Sequence, residues 1–214
     1  MSGPTLSALP TASRRAHGLV LPVPISGHPC LELCNTRAGW GSARPKEYLT
    51  DYPHLAVLAA DQKLLSVPAR RLCLDLAAAD PHAADLEIDR AWRVRGDLYQ
   101  MFLGDQDPML IRRLNADLLR ARRQLRFLGL SADPADSWVA EPIQLSTPLD
   151  AFLRSLERLL MSGLSTVTAC PGHDCGWLFS DPGARRRWCS MRWCGNRAKV
   201  ARHAARASGR SAPS

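Results

Sequence analysis

The sequence predicts a mainly α-helical protein with a small cysteine-rich module at its C-terminal end. Between residues 25 and 163, apolar residues recur at the three- and four-residue spacing of a helix face. Four of the seven cysteines lie between residues 170 and 194. The expected divisions are a disordered leader (1–24), a helical domain (25–164), the cysteine-rich module (165–207) and a disordered tail (208–214).

The bulk composition is that of a globular protein without a membrane anchor. Of the 214 residues, 46% are apolar, which allows a core of useful size. No apolar run reaches the roughly 18 residues that a transmembrane helix needs. Arg14 and Arg15 precede an apolar run, as in a twin-arginine export signal, but Pro22 and Pro24 interrupt that run. We therefore expect a cytoplasmic protein, in which clustered cysteines indicate a metal rather than disulfides.

The positive charge is concentrated in the cysteine-rich end of the chain. The formal net charge is +8, and residues 170–214 hold nine Lys and Arg residues against two acidic ones. Residues 1–169 hold nineteen Lys and Arg residues against eighteen acidic ones. Such an asymmetry predicts a polyanionic partner for the C-terminal segment.

The helical domain is predicted to hold six helices and one small hairpin. Pro68 suits the first turn of the third helix, on which Leu72, Leu76 and Ala79 are expected to face inward. Asp107 is a candidate N-cap for the clearest helix. The predicted helices span 28–36, 47–65, 67–79, 86–103, 107–125 and 147–161, and segments 126–130 and 138–145 can pair across a turn-rich stretch as the hairpin.

Four cysteines at the C-terminal end have the spacing of a zinc site. Cys170 and Cys175 form one Cys-x₄-Cys pair, Cys189 and Cys194 form a second, and thirteen residues separate the pairs. Zn²⁺ prefers four thiolate or imidazole ligands in a tetrahedron, and two pairs on tight turns supply them. A helix follows Cys194 directly. The pattern predicts one structural Zn²⁺ in a treble-clef-like zinc finger.

Other residues near the cysteines have competing interpretations. His173 lies between two ligands and is a candidate replacement for one of them. Cys30 and Cys34 have the spacing of half a metal site, but with Cys73 they are better interpreted as small apolar core residues. Five further apolar residues are expected to pack beneath the metal, with stacking on bases as the alternative: Trp177, Leu178, Phe179, Trp188 and Trp193.

The basic residues of the finger are candidate DNA contacts. Arginine and lysine side chains bind phosphates and give affinity without sequence information. Asn196 and Arg197 stand at the helix start, where side chains can reach base edges in the major groove, but they can equally cap the helix and brace the finger. The candidate DNA-binding residues are Arg185, Arg186, Arg187, Arg192, Asn196, Arg197, Lys199, Arg202 and Arg206.

Two stretches resemble known families. The run CGNRAKVARH, preceded by CGWLFSD and RRRWCSMRWC, resembles the CGNR zinc-finger family. GHPCLELCNTR and EYLTDYPHLAVLAADQKLL resemble the ABATE domain that usually precedes this finger, with Gly27, Leu31, Asn35 and Thr36 on matching positions and Glu32 near a position usually filled by Asp. The resemblance covers roughly residues 25–207. It implies a bacterial transcription regulator, often called stress-induced, that binds DNA through the finger.

Because DNA binding is assigned to the finger, we expect the helical domain to sense a ligand or to mediate dimerisation. Asn35, Thr36 and Arg37 are candidates for lining a small-molecule pocket, although the first two can instead satisfy buried backbone groups at a helix end. A homodimer would suit a DNA reader with so small a finger. The rival functions are an RNA-binding module and a protein-interaction element that docks on RNA polymerase. We expect no enzymatic activity, because four thiolates leave zinc no open coordination position.

Overall fold

The computed structural model describes residues 12–130, 138–161 and 167–207. It confirms a mainly helical fold in which every described sheet has only two strands. A π-helical turn at Met191–Gly195 precedes the last helix. The helices are α1 (Pro29–Cys34), α2 (Tyr52–Asp61), α3 (Val67–Ala79), α4 (Pro81–Phe102), α5 (Pro108–Arg123), α6 (Thr147–Met161) and α7 (Asn196–Ala207).

The strands pair as four antiparallel hairpins, each between neighbours in the sequence. The hairpin predicted within residues 126–145 is present and pairs Leu125 with Ala140 and Phe127 with Trp138. The strands are β1 (Ser13–Ala16), β2 (Leu19–Pro22), β3 (Arg37–Ala38), β4 (Lys46–Glu47), β5 (Leu125–Phe127), β6 (Trp138–Ala140), β7 (Val167–Ala169) and β8 (Leu178–Ser180).

Capping residues explain where the helices of the N-terminal domain begin. In α2, α3, α4 and α5 a side-chain oxygen accepts a hydrogen bond from the first turn, and a proline occupies one of the first two helical positions. The caps are Asp51, Ser66, Asp80 and Asp107. These local signals lie in the sequence itself; α3 and α5 begin where they were predicted, whereas α2 begins five residues later and α4 five residues earlier than predicted.

The segment expected to be a disordered leader differs from the prediction over its described part. β1 and β2 form a hairpin around His17 and Gly18, both with positive φ (49° and 81°), which is the backbone that tight hairpin turns require. Arg14 forms an ion pair with Asp61 at the end of α2, and Leu21 is 1% exposed. The expectation of disorder is therefore wrong for residues 12–24. Residues 1–11 and the expected tail at 208–214 lie outside the described residues.

Helix α3 faces the core with a different side from the one predicted. Cys73 is fully buried, whereas Leu72 is 45% exposed and Ala79 is exposed. Leu74 and Ala77 pack against the core with Cys73. The helix is thus turned by about one residue, or about 100°, from the predicted stripe. Helix α3 lies at the edge of the domain, so its packing against α2, α4 and α6 decides which face is buried.

The core of the N-terminal domain is built around α6. Leu149, Phe152, Leu153 and Leu156 of this helix are at most 1% exposed. Arg90 joins three helices, because it donates to Asp117 of α5 at 2.9 Å and to Asp150 of α6 at 3.0 Å. No helix within the described ranges is long and apolar enough to cross a membrane.

Candidate metal centre and basic helix

Four cysteine sulfurs lie close together in the C-terminal module. The Sγ atoms of Cys170, Cys175, Cys189 and Cys194 all lie within 4.8 Å of one another, and the four residues are buried. The Sγ of Cys189 is 3.6 Å from that of Cys175 and 3.6 Å from that of Cys194. Thiolates around a tetrahedral Zn²⁺ at about 2.3 Å would be separated by about 3.8 Å. The cluster therefore fits one structural zinc ion with a closed four-thiolate shell, as predicted.

The first pair of ligands is held by a tight loop between β7 and β8. The Cys170 N–H donates to the Trp177 carbonyl at 2.8 Å, and the Cys175 N–H donates to the Gly172 carbonyl at 2.9 Å. A Cβ on Gly172 would lie 3.0 Å from the Sγ of Cys194, so only glycine leaves room for the opposite ligand. We call residues 170–177 the knuckle.

The second pair is placed by the π-helical turn. The Cys189 N–H donates to the Sγ of Cys170 at 3.4 Å, which ties the two halves of the site together. The Met191 side chain lies against Gly195, where a Cβ would come 2.6 Å from its Sδ and would require this exposed side chain to move. The last ligand thus lies just before the C-terminal helix, as in the predicted treble-clef arrangement.

The first two residues of α7 bind the finger itself. The Arg197 guanidinium donates to the Sγ of Cys194 at 3.2 Å, and the Asn196 amide donates to the Arg192 carbonyl at 3.1 Å. Hydrogen bonds from the other three sulfurs, Cys170 first, and a smaller one from Arg197 lower the pKa of the Cys194 thiol. A lowered pKa favours the thiolate that zinc requires. In this structure Asn196 and Arg197 therefore brace the finger, which is one of the two roles considered for them.

Arg186 is exposed but is also bound to the protein through several contacts. It donates to the carbonyl of Ile25 at 3.1 Å and to the carbonyl of Cys189, and its guanidinium lies 4.6 Å from the centre of the Phe179 ring. Its donors link the leading loop of the domain to the second half of the finger, and its role as a candidate DNA contact stays a prediction.

The remaining basic residues lie on the surface of the finger. Lys199, Arg202 and Arg206 are exposed and, at intervals of three and four residues, share one face of α7. Among the residues that the structure describes, none forms an ion pair with them. Arg185 is also exposed, whereas Arg187 and Arg192 lie over the rings of Trp188 and Trp193 at 5.1 and 5.7 Å.

Of the three residues proposed as a ligand pocket, Asn35 and Arg37 contact the finger, whereas Thr36 is bound within the N-terminal domain. The Asn35 amide donates to the Leu178 carbonyl at 2.9 Å and accepts from the Leu178 N–H at 2.8 Å. Thr36 donates to the Leu33 carbonyl at 2.7 Å, and the Arg37 carbonyl accepts from the Trp177 indole at 3.0 Å. Asn35 and Thr36 are at most 1% exposed. These two residues therefore satisfy buried backbone groups, which was the alternative interpretation, while the pocket role of Arg37 stays a prediction.

Two aromatic residues of the N-terminal domain hold the knuckle. Trp40 stacks on Tyr99 with ring centres 3.8 Å apart, and the Tyr99 hydroxyl donates to the Gly176 carbonyl at 2.8 Å. The Gly39 N–H donates to the Cys175 carbonyl at 3.1 Å. Gly176 has a φ of +67°, and a Cβ there would lie 2.9 Å from both aromatic side chains. The knuckle therefore fits against the domain only with glycine at this position.

Glu32 supports a second contact between the two parts. Its Oε1 accepts from the Ser26 N–H at 2.7 Å, and the Ser26 carbonyl accepts from the Ser180 N–H of β8 at 2.7 Å. Burial raises the pKa of the Glu32 carboxyl to about 7. The acidic side chain thus shapes the loop that lies beside the finger.

The apolar cluster beneath the metal is shared between the two parts of the chain. Trp177, Leu178 and Phe179 are buried, which agrees with packing rather than base stacking, while Trp188 and Trp193 are only half-buried. The cluster around the four cysteines also includes six residues from the N-terminal region, namely Ala12, Val20, Ile25, Ala38, Trp40 and Tyr48. The finger therefore obtains part of its core from outside its own sequence.

The remaining metal-site alternatives are settled by burial and distance. The His173 side chain is 94% exposed and pairs with Asp174 at 2.9 Å, away from the four sulfurs. Cys30, Cys34 and Cys73 are fully buried, and burial raises the pKa of Cys34 to about 12. They are core residues, as the sequence indicated.

Fold and site together define a helical domain fused to a four-cysteine zinc finger. The sequence model of the ABATE family, whose description is "putative stress-induced transcription regulator", matches residues 27–169, and that of the CGNR zinc finger matches residues 167–207. Because the first match covers more than half of the chain, the protein belongs to the ABATE family and carries a CGNR zinc finger. No curated protein matches the chain.

The sequence did not point to Trp40, Tyr48 or Tyr99 as supports of the metal site. They lie more than 70 residues before the knuckle, and nothing in their neighbourhood resembles a ligand motif. Gly176 was the only local signal of a close approach, because glycine beside a ligand permits another part of the chain to come near.

Proposed function

We propose that this protein is a zinc-dependent, DNA-binding transcription regulator. The observation that carries the proposal is the exposed basic face of α7 formed by Lys199, Arg202 and Arg206, which begins one helical turn after the zinc ligand Cys194. Membership of a regulator family and a net excess of basic residues in this segment support it. Helix α7 packs against the π-helical turn and otherwise extends from the domain, with no residue from 196 to 206 fully buried.

The geometry gives each basic residue a distinct part in the proposal. The three exposed residues of α7 supply contacts to phosphates or base edges, because a single protruding helix fits the major groove. Arg185, Arg187 and Arg192 flank the helix start and supply further phosphate contacts. Arg186 and Arg197 act indirectly, because they hold the second half of the finger and the Cys194 ligand.

The proposed function is regulatory and not enzymatic. Four thiolates complete the coordination shell of a tetrahedral zinc, so the metal has no position for a water or a substrate. We place the protein in the bacterial cytoplasm, where the cysteines stay reduced for zinc. A homodimer would double the contact area that one short helix offers.

The test is fluorescence anisotropy of the full chain on a duplex from its own promoter and on a random duplex, across a salt series. Specific, zinc-dependent binding is expected near physiological salt, and it should be lost with a chelator. Substitution of Lys199, Arg202 and Arg206 by alanine should keep zinc and reduce the slope of log K against log salt by roughly 1 per residue.

Arg112→Ala is the matched control for this test, because Arg112 is an exposed arginine of α5 far along the chain from the finger. It should leave the salt slope unchanged. Equal affinity for single strands or structured RNA would favour the RNA-binding alternative. Weak binding without sequence preference, with or without zinc, would favour a protein-docking role for the finger.

A further inference from the structure

A cavity of about 710 Å³ opens between the α2–α3 junction, β6 and α6. This volume lies within the range of roughly 300–1,000 Å³ that small-molecule sites occupy. The cavity belongs to the N-terminal domain and shares no lining residue with the metal centre. Its lining also does not include Asn35, Thr36 or Arg37.

One side of the cavity is apolar. Leu64, Leu65 and Ile143 are half-buried there, Val67 is 68% exposed and Trp138 is 51% exposed. An apolar wall that remains open to water provides a favourable surface for the hydrocarbon or ring part of a ligand, because covering it removes apolar area from water.

The other side of the cavity is cationic. Arg154 and Arg158 of α6 and Lys63 line it, and among the described lining residues there is no Asp or Glu. Lys63 has a φ of +57° just after α2, a position where glycine is favoured. Lys63 adds a third positive charge to the lining of the cavity.

The Arg154 guanidinium lacks a partner for a buried donor. Its Nη1 atom is buried and has no hydrogen-bond acceptor in the part of the chain that the structure describes. The two nearest acidic side chains on α6 are engaged elsewhere, since Asp150 accepts from Arg90 at 3.0 Å and Glu157 accepts from Arg122 at 2.7 Å. Burial, opposed in part by Asp150, lowers the pKa of Arg154.

A buried donor without an acceptor is costly, and a charged one is more costly still. The rest of the half-buried Arg154 side chain lines the cavity, so an anion there would offset the positive charge of the guanidinium, which pairs well with a carboxylate. We propose that this cavity binds a small organic carboxylate with an apolar body, whose carboxylate is held by Arg154, Arg158 and Lys63 and whose body lies against Leu65, Val67 and Trp138.

The structure also offers a route from this cavity to the finger. Helix α6 packs against α1, and α1 ends at Asn35, which holds the backbone of Leu178 in β8. An effect of the ligand on DNA binding rests on the function proposed above. Binding of the carboxylate to the cavity does not depend on that function.

The test is isothermal titration calorimetry of the full zinc-loaded chain with octanoate and benzoate, each beside its neutral amide, and with inorganic phosphate. We expect one octanoate or benzoate per chain, at least tenfold weaker binding of octanamide and benzamide, and at least tenfold weaker binding of phosphate. Equal binding of the amides would reduce the site to an apolar cavity, equal binding of phosphate would remove the role of the apolar wall, and failure of both carboxylates to bind would overturn the proposal.

Variants separate the cavity from non-specific binding. Arg154→Gln should weaken carboxylate binding at least tenfold, and without ligand it should be no less stable than the parent chain because it removes an unpartnered charge. Arg158→Gln changes an exposed residue and gives a second test should Arg154→Gln fail to fold. Arg112→Gln, an exposed arginine outside the cavity, should bind as the parent chain does. Unchanged affinity in both cavity variants would contradict the assignment.

DNA binding is measured separately by anisotropy on the same preparations. Carboxylate binding without any DNA binding would keep the cavity assignment and remove the proposed function. DNA binding without carboxylate binding would do the reverse.

Discussion

The first half of the zinc finger, residues 167–180, and the second half, residues 185–207, differ in what surrounds them. The first half is enclosed by the N-terminal domain, with Leu178 and Phe179 fully buried and Asn35 bound to the N–H and the carbonyl of Leu178. The second half is joined mainly through the metal ligands and Arg186, and α7 stays exposed along its length.

The enclosed half therefore supports the metal site, whereas the second half carries the basic residues that we propose contact DNA. A contact residue acts with precision only when the shell behind it is rigid. Here the enclosed half fixes two zinc ligands to a folded domain, and the metal then fixes the start of α7. The exposed helix can therefore present charges in a defined direction although it has little core of its own. The predictions below test this division, beginning with the largest effect.

Removal of a zinc ligand should disconnect the two halves. Cys175→Ser or Cys194→Ser is expected to lose zinc and to unfold the finger, because structural zinc contributes on the order of 10 kcal/mol to such modules. Residues 25–163 should stay helical. Metal content and far-ultraviolet circular dichroism measure the two effects, with Cys73→Ser as a control that removes a cysteine outside the cluster. Stoichiometric zinc in both ligand variants would refute the ligand assignment.

Removal of the clamp should loosen the enclosed half while the ligands remain. Asn35→Ala leaves the N–H and the carbonyl of Leu178 without partners in a buried site, at a cost of about 1–3 kcal/mol for each group. Denaturant unfolding should show the loss, and limited proteolysis should cut the finger faster than in the parent chain. Asn115→Ala, at an exposed site of α5, is the matched control. If both variants unfold alike, Asn35 does not hold the finger.

Protonation of Glu32 should change the stability of the enclosed half with pH. Burial raises the carboxyl pKa from 4.5 to about 7, so the folded protein binds this proton more tightly than the unfolded chain does. The contribution of Glu32 to stability is therefore greatest below about pH 4.5 and is lost as the pH rises to about 7. By the same linkage, Glu32→Gln should be as stable as the parent chain at low pH. At pH 8 its free energy of unfolding should be higher than that of the parent by about 3 kcal/mol.

Denaturant titrations of both proteins at pH 5 and pH 8 test this expectation. The comparison between variant and parent at each pH removes the effect of acid on zinc binding, which is common to both proteins. If the free energies of unfolding of variant and parent differ by the same amount at pH 5 and pH 8, Glu32 keeps an ordinary pKa.

Two basic residues of α7 should respond differently when each is replaced by alanine. Arg197→Ala removes the hydrogen bond to Cys194 and should weaken zinc binding by about 10–100-fold, as outer-shell changes do. Lys199→Ala should leave zinc affinity unchanged and reduce only the salt slope of DNA binding, by roughly 1. Competition with a chromogenic zinc chelator gives the first quantity, and anisotropy gives the second. Equal zinc affinity in both variants would remove the bracing role of Arg197.

Local signals in the sequence predicted much of this molecule. Asp107 as the N-cap of α5 and Pro68 in the first turn of α3 correctly marked the starts of these helices, because capping depends only on neighbouring residues. The two Cys-x₄-Cys pairs gave the zinc site, because metal geometry restricts which ligands can meet. The family resemblance at Cys194 to Arg197 agreed with the matched finger model.

Only the tertiary structure decided the roles that depend on distant contacts. Residues 13–22 form a hairpin because the domain and the finger give it a surface to cover, and α3 is turned because its neighbours choose its buried face. Asn35 and Arg186 have sequences around them that suit a ligand or a phosphate, yet each is bound to a backbone more than 140 residues away. A sequence gives the chemistry of a side chain, but the partner that satisfies it is fixed by packing, which no short window of sequence contains.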